Sequence, residues 1–193
     1  MPINFDLEKI RKEYDCLNYF ETGLYDCVKF NVSSHTALKC NFNNVYCIEI
    51  DKKWIDMGNN VFQKEIKEGR YNLYHDDSSN MGKYLNNKTF EDKTLFFLDA
   101  HDITGKLGAK QNCPLYDELN AIDCLNRKDN IILIDDLRVI KDKGGRDEFW
   151  NDKSYGNIDH FNTLKNRILK INSNYKFKYL NGVCKDDVLL CYI

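Results

Sequence analysis

Acidic side chains recur where short apolar runs of the sequence end. The acids are Glu21, Glu49, Asp77, Asp99, Asp135 and Asp136. The carboxyl ends of parallel strands meet at one edge of a sheet, so we expect these carboxylates to lie near one another. A buried carboxylate is costly unless a ligand, a metal or hydrogen bonds compensate it. This edge of the sheet is therefore the predicted place of ligand binding.

One histidine, His101, stands two residues after Asp99. If the chain stays extended there, both side chains point to the same side of the chain. An imidazole accepts a proton near neutral pH, which makes His101 a candidate general base. A loop histidine that faces solvent is the competing interpretation.

Glu49 ends the second apolar run, and the first run leads into the turn Glu21-Thr22-Gly23. An acid in this place can accept hydrogen bonds from both ribose hydroxyls of an adenosine-containing cofactor. A solvated strand end or a helix cap is the alternative for Glu49. Asp51 is predicted to be the N-cap of a helix that begins near Trp54.

The elements that must position these side chains alternate between short apolar runs and amphipathic segments, as in a parallel sheet covered by helices. Unbroken apolar runs at 95–98 and 131–134 predict central strands that are buried on both faces. Further strands are predicted at 19–21, 45–50, 71–74, 175–179 and 188–192, the last two as an antiparallel pair. Helices are predicted at 54–67, 114–125 and 161–171, and substrate-binding loops at 101–113 and 141–157.

The composition bounds the class of protein. The chain of 193 residues suits one hydrophobic core, so we expect a single domain over 1–193. A net charge of −2, without basic runs, disfavours nucleic acid as a partner. With neither a signal-peptide layout at the first residues nor an apolar stretch of membrane-spanning length, we expect a cytoplasmic protein without membrane association. The eight cysteines form no CxxC pair and are expected to be mostly reduced and buried.

Taken in order, the motifs resemble class I S-adenosylmethionine-dependent methyltransferases. They are Glu21-Thr22-Gly23, Ile48-Glu49-Ile50-Asp51, Asp77-Ser78-Ser79, Leu98-Asp99-Ala100-His101, Cys113-Pro114-Leu115-Tyr116-Asp117-Glu118-Leu119 and Ile132-Leu133-Ile134-Asp135-Asp136. The resemblance implies a Rossmann-like α/β fold with a mostly parallel, seven-stranded sheet, an antiparallel C-terminal strand and helices on both faces.

The resemblance also implies a site for S-adenosylmethionine. The implied contacts are Glu21, Thr22 and Gly23 for the methionine part, Glu49 for the ribose, and Asp77 with Ser78 for the adenine. The first turn departs from the family, because it has a single glycine where many methyltransferases have two or three. The methionine part could therefore be held differently in this protein.

The acids are similar to those of metal-dependent O-methyltransferases that modify sugars on natural products. In those enzymes acids after the fourth and fifth strands hold magnesium, which implies Asp99, Asp135 and Asp136 as ligands of Mg²⁺. Two carboxylates about 4 Å apart repel by about 4 kcal/mol at an effective dielectric constant of 20, so three in one pocket favour a cation or a raised pKa. Ligation by oxygen alone suits Mg²⁺ better than zinc. In the alternative interpretation, one of Asp135 and Asp136 caps a turn while the other faces solvent.

The reaction implied by the resemblance is methyl transfer from S-adenosylmethionine to a hydroxyl of a sugar, a nucleotide-sugar or a glycan precursor. His101 is implied as the general base with Asp99 beside it, and Asp102 and Arg138 are the expected substrate-binding residues. The chain could assemble as a homodimer.

Two other functions stay open. In a metal-independent methyltransferase the aspartates would hydrogen-bond the acceptor directly. In a binding protein the fold would be kept without turnover, and the single glycine of the first turn favours that alternative.

Overall fold

The computed structural model describes residues 3–30, 32–101, 113–140 and 160–193. Their strands form one seven-stranded sheet in the order β3-β2-β1-β4-β5-β7-β6. In chain order the strands are β1 (Asn18–Thr22), β2 (Asn44–Glu49), β3 (Tyr71–His75), β4 (Thr94–Leu98), β5 (Ile131–Ile134), β6 (Lys176–Leu180) and β7 (Val188–Tyr192). Neighbouring strands among β1 to β5 are parallel, β7 is antiparallel to β5, and β6 is antiparallel to β7. The predicted α/β sheet with an antiparallel C-terminal pair is confirmed.

Helices cover both faces of this sheet. They are α1 (Leu7–Glu13), α2 (Ser33–Lys39), α3 (Lys52–Val61), α4 (Gln63–Lys67), a 3₁₀ helix (Ser78–Lys83), α5 (Leu115–Asp123), α6 (Leu137–Ile140) and α7 (His160–Ile171). Apolar side chains of α1 and α2 join one buried cluster, whereas those of α5 and α7 join another. Successive residues of a strand point to opposite faces, so Tyr19 packs in the first cluster and Phe20 in the second.

The central strands are β4 and β5, as their unbroken apolar runs predict. Their residues are at most 1% exposed from Leu95 to Leu98 and 0% exposed from Ile131 to Ile134. Burial on both faces leaves the polar residues that follow these strands as the first groups able to meet a ligand.

The prediction of one continuous helix over 54–67 is wrong, because the helix is broken at Phe62. The backbone of Phe62 lies outside the helical region, with φ −102° and ψ 21°. The Phe62 ring is buried, with its centroid 4.8 Å from the ring centroids of both His35 and Tyr71. The prediction of Asp51 as the N-cap of α3 is confirmed, since its carboxylate accepts a hydrogen bond from the backbone N–H of Lys53 at 2.8 Å.

The cysteines are mostly buried and do not pair with one another. All eight cysteines are free thiols, and only Cys124 and Cys184 are exposed. Within the described ranges, the helices are all too short or too polar to cross a membrane.

Candidate functional site

The carboxyl ends of the parallel strands meet at one edge of the sheet. Thr22 at the end of β1 pairs with Ile48 of β2 and with Leu98 of β4. Leu98 pairs in turn with Ile134, the last residue of β5. Because these ends are in register, the residues that follow them lie along one edge, as the sequence predicts.

Gly23 brings the first turn against the end of β4. Its φ of +86° lies in the left-handed region, which favours glycine. A β-carbon at this position would lie 2.8 Å from the carbonyl oxygen of Asp99. The single glycine of the turn therefore stands where both the backbone conformation and the close approach require it.

Glu49 is buried at the end of β2, and its carboxylate holds the first turn. One oxygen, Oε2, accepts hydrogen bonds from the backbone N–H groups of Leu24 at 2.8 Å and Tyr25 at 3.1 Å. The other, Oε1, accepts from the backbone N–H of Asp51 at 2.7 Å. A carboxylate has about four acceptor sites, so a remaining site is available to a ribose hydroxyl. The structure thus gives Glu49 a turn-binding role that the sequence did not reveal.

Glu21 points into the core beneath α2. Its carboxyl group hydrogen-bonds the hydroxyls of Ser34 and Tyr19, the latter at 3.1 Å. Burial raises the pKa of Glu21, while hydroxyls of Ser33, Ser34 and Tyr19 lower it. Thr22 points the other way, and its hydroxyl accepts a hydrogen bond from the backbone N–H of Asp99 at 3.2 Å.

Asp77 and Ser78 begin the 3₁₀ helix after β3. The Asp77 carboxylate caps this helix by accepting a hydrogen bond from the backbone N–H of Ser79 at 2.9 Å. Ser78 is buried beside it. Both residues predicted near the adenine therefore lie where the chain leaves β3 at the functional edge.

Asp99, His101 and Asp136 form one group that could hold a cation. One ligand atom of each lies within 4.8 Å of the others. Asp136 adopts a left-handed backbone with φ +62°, a conformation rare outside glycine that often occurs at functional sites. Two predicted metal ligands and the predicted base thus come together.

The remaining predicted ligand, Asp135, belongs to a second group with Asp136 and Asp187, all of them buried. Arg138 already supplies positive charge to this group. Its guanidinium lies 2.7 Å from the Asp136 carboxylate and also forms an ion pair with Asp187. Arg138, predicted to bind substrate, is therefore engaged by the acids of the site.

Burial and the crowding of acids together shift the pKa values of these groups. Burial raises the pKa values of both Asp135 and Asp136, and the charge of Asp99 raises them further. Burial lowers the pKa of His101, while the charges of Asp136 and Asp99 oppose that shift. Burial therefore favours the neutral imidazole, which is the form able to accept a proton.

Two buried acids near this edge of the sheet were not predicted from the sequence. Asp187 immediately precedes β7, and the pairing of Leu189 with Ile134 brings it to the end of β5. Glu118 of α5 is fully buried. One predicted residue, Asp102, lies outside the described residues.

Comparisons with known proteins bear on the fold. Neither the protein-family models nor the curated proteins give a match. The O-methyltransferase from Bacillus cereus in complex with S-adenosylhomocysteine (SAH) has a TM-score of 0.54 at 12% identity, covering 97% of this chain and 78% of that chain. The SAH-bound methyltransferase of Podospora anserina has a TM-score of 0.54 at 17% identity, covering 96% and 75%.

A different enzyme has the same fold. Spermidine synthase in complex with the transition-state analogue AdoDATO has a TM-score of 0.57 at 13% identity, covering 91% of this chain and 54% of that chain. These likenesses confirm the predicted Rossmann-like methyltransferase fold. At such identities they show the fold alone, and one fold can host different reactions.

Proposed function

We propose that this protein is an S-adenosylmethionine-dependent O-methyltransferase that acts on a hydroxyl of a sugar, a nucleotide-sugar or a glycan precursor. The observation that carries the proposal is the group of Asp99, His101 and Asp136, whose ligand atoms lie within 4.8 Å of one another. The group adjoins the Gly23 turn through the backbone of Asp99. SAH, the product that methyl transfer leaves behind, is bound in two structures of this fold.

The turn between β1 and α2 is the proposed binding place of the methyl donor. Gly23 allows the backbone to approach closely, and Glu49 fixes the next two backbone amides. Glu49 would accept a ribose hydroxyl with its remaining acceptor site, and Asp77 with Ser78 would line the adenine end. Glu21 and Thr22 would support the methionine end. Holding donor and acceptor in line would supply much of the rate enhancement.

The acids fit a divalent cation. Asp99 and Asp136 offer the oxygen ligands that Mg²⁺ prefers, with Asp135 adjacent. Burial and the charge of Asp99 raise the pKa values of Asp135 and Asp136, and a bound cation would stabilise their charged forms. When bound, Mg²⁺ would supply Lewis-acid polarisation of the acceptor hydroxyl.

His101 is the proposed general base. A neutral imidazole has one acceptor nitrogen, so it either ligates a metal or takes a proton at a given moment. Because carboxylates are better ligands for Mg²⁺, we assign the proton to His101. The acceptor oxygen would form a bond to the methyl carbon while the carbon–sulfur bond breaks, its electron pair staying on sulfur and the hydroxyl proton passing to His101.

A metal-independent methyltransferase is the second candidate, and the position of Arg138 favours it. Its ion pairs with Asp136 and Asp187 already place one positive charge among the acids. In that case the aspartates would hydrogen-bond the acceptor directly.

The test is transfer of a labelled methyl group from S-adenosylmethionine to a panel of acceptors. The panel holds free sugars, nucleotide-sugars and, as a different hydroxyl class, catechols, each with Mg²⁺ or with EDTA. Labelled sugar formed only with Mg²⁺ would support the full proposal, and labelled sugar in EDTA would support the second candidate. Label on catechols alone would overturn the sugar assignment, and no label on any acceptor would count against transferase activity.

A further inference from the structure

Glu118 is a carboxylic acid within the apolar face of α5. It lies three residues after Leu115 and four before Ile122, both of which are fully buried core residues. The Glu118 side chain is itself 0% exposed. Leucine or methionine would be the ordinary residue at such a position.

The carboxyl group of Glu118 lacks ordinary hydrogen bonds within the described part of the chain. Neither Oε1 nor Oε2 has a hydrogen-bond partner there. A buried polar group without partners is unfavourable, and native proteins rarely keep one without a functional reason. The position of the residue indicates what that reason is.

Glu118 faces the groups that the proposed donor site uses. Hydroxyls of Ser78 and Thr22 lower its pKa, although neither forms a hydrogen bond of ordinary geometry with it, and the charges of Asp77 and Asp99 raise it. These neighbours come from the ends of β1 and β4 and from the start of the 3₁₀ helix. The 3₁₀ helix packs directly on α5. Glu118 thus lies beneath the point where three segments of the edge meet.

We infer that Glu118 is a positioning residue of the donor site: its carboxyl group holds the hydroxyl of Thr22 at the methionine end and orients the hydroxyl of Ser78 toward the adenine of the bound cofactor. This inference rests on the proposed function. Thr22 already accepts a hydrogen bond from the backbone N–H of Asp99, so its own proton is available to donate toward Glu118. If Ser78 donates to the same carboxyl, its oxygen lone pairs are left to accept from the amino group of adenine.

The orientation of Ser78 predicts which base is preferred. An amino group at position 6 of the purine donates hydrogen bonds, whereas the oxo group of hypoxanthine accepts them. With Glu118 in place, SAH should therefore bind more tightly than S-inosylhomocysteine, which differs only at the base. Loss of Glu118 should reduce this preference.

The experiment compares the wild type with Glu118→Leu and Glu118→Gln, using calorimetric titration with SAH and with S-inosylhomocysteine. Glu68→Gln, at an exposed position after α4, is the matched control. We expect Glu118→Leu to bind SAH about tenfold more weakly, with little remaining preference for adenine. Its melting temperature should be unchanged or higher, because an uncompensated carboxyl has been removed from the core. Glu118→Gln should restore part of the affinity.

The outcomes separate a positioning role from a packing role. Equal losses of affinity for both ligands, together with a lower melting temperature, would assign Glu118 to packing and overturn the inference. Wild-type affinity and wild-type preference in folded Glu118→Gln would overturn it also, even if the leucine variant failed to fold. Failure of the wild type to bind SAH would instead overturn the proposed function itself.

Discussion

The α-carbon of Gly23 faces the backbone of Asp99 so closely that a β-carbon at position 23 would lie 2.8 Å from the Asp99 carbonyl oxygen. The contact joins the turn after β1 to the end of β4. The proposed donor site and the acidic group are therefore in direct contact, and a substitution at Gly23 should affect both.

Gly23→Ala should destabilise the fold and impair SAH binding. An alanine with positive φ costs about 1–2 kcal/mol, and the clash with Asp99 adds to that cost. Gly69→Ala is the matched control, because Gly69 has φ +73° but no atom of the described residues lies within 4 Å of the added β-carbon. Denaturant unfolding and SAH titration should show both variants less stable but only Gly23→Ala defective in binding. Equal SAH affinity in the two variants would contradict this role of Gly23.

Millimolar Mg²⁺ should raise the melting temperature, since a ligand that binds only the folded state stabilises it. Asp135→Asn combined with Asp136→Asn should abolish the rise by removing ligand charge. The exchange suits the backbone, because asparagine tolerates the left-handed conformation of Asp136. A melting temperature insensitive to Mg²⁺ in the wild type would favour the metal-independent candidate.

Glu118→Gln should change how stability depends on pH. Burial raises the pKa of Glu118 from its usual 4.5 to about 7, while the hydroxyls of Ser78 and Thr22 oppose the shift. The folded state thus keeps a proton that the unfolded state releases at lower pH. The stabilising contribution of Glu118 is fully present below pH 4.5 and is lost as the pH rises through about 7.

The glutamine variant cannot ionise, so it should gain free energy of unfolding relative to the wild type between pH 4.5 and 7. The gain should be on the order of 2–3 kcal/mol. Chemical unfolding at a series of pH values measures the difference. If the free energies of unfolding of the two proteins changed with pH in the same way, Glu118 would not titrate with a raised pKa.

His101→Ala should slow methyl transfer by about 10²–10⁴-fold while SAH affinity stays near that of the wild type. Burial lowers the pKa of His101 below its usual 6.5, so the wild-type rate should rise with pH through that lowered pKa and then level off. The rate of the alanine variant should not show this rise with pH. His101→Gln keeps a polar side chain that does not take up a proton, and near-wild-type turnover in that variant would reduce His101 to a positioning role.

Much of the fold could be predicted because its signals are local. Unbroken apolar runs identified β4 and β5, and one acid before an amphipathic segment identified the cap of α3. The break at Phe62 could not be predicted from helical periodicity. At the break the Phe62 ring packs against the rings of His35 and Tyr71, which are distant in sequence.

The site was predictable where it depends on strand ends, and not where it depends on packing between distant segments. Asp99 and Asp136 follow parallel strands, so topology alone brings them together. Asp187 carried a usable signal, since a residue that precedes an antiparallel last strand must lie at the same edge. Glu118 also carried one, because its spacing from Leu115 and Ile122 places it on the buried face of α5.

Binding of S-adenosylmethionine at the turn held by Glu49 can be measured by calorimetric titration of the folded protein, comparing the wild type with Glu49→Ala. We expect one binding site per chain in the wild type. In Glu49→Ala we expect an affinity loss worth about 1.5–3 kcal/mol, because the variant loses a charged acceptor of hydrogen bonds. Asp51→Ala is the control, because it removes the cap of α3 and should lower stability without a comparable loss of affinity. A folded wild-type protein that binds no S-adenosylmethionine at millimolar concentration would contradict the proposed function. A folded Glu49→Ala variant with undiminished affinity would contradict the proposed donor site.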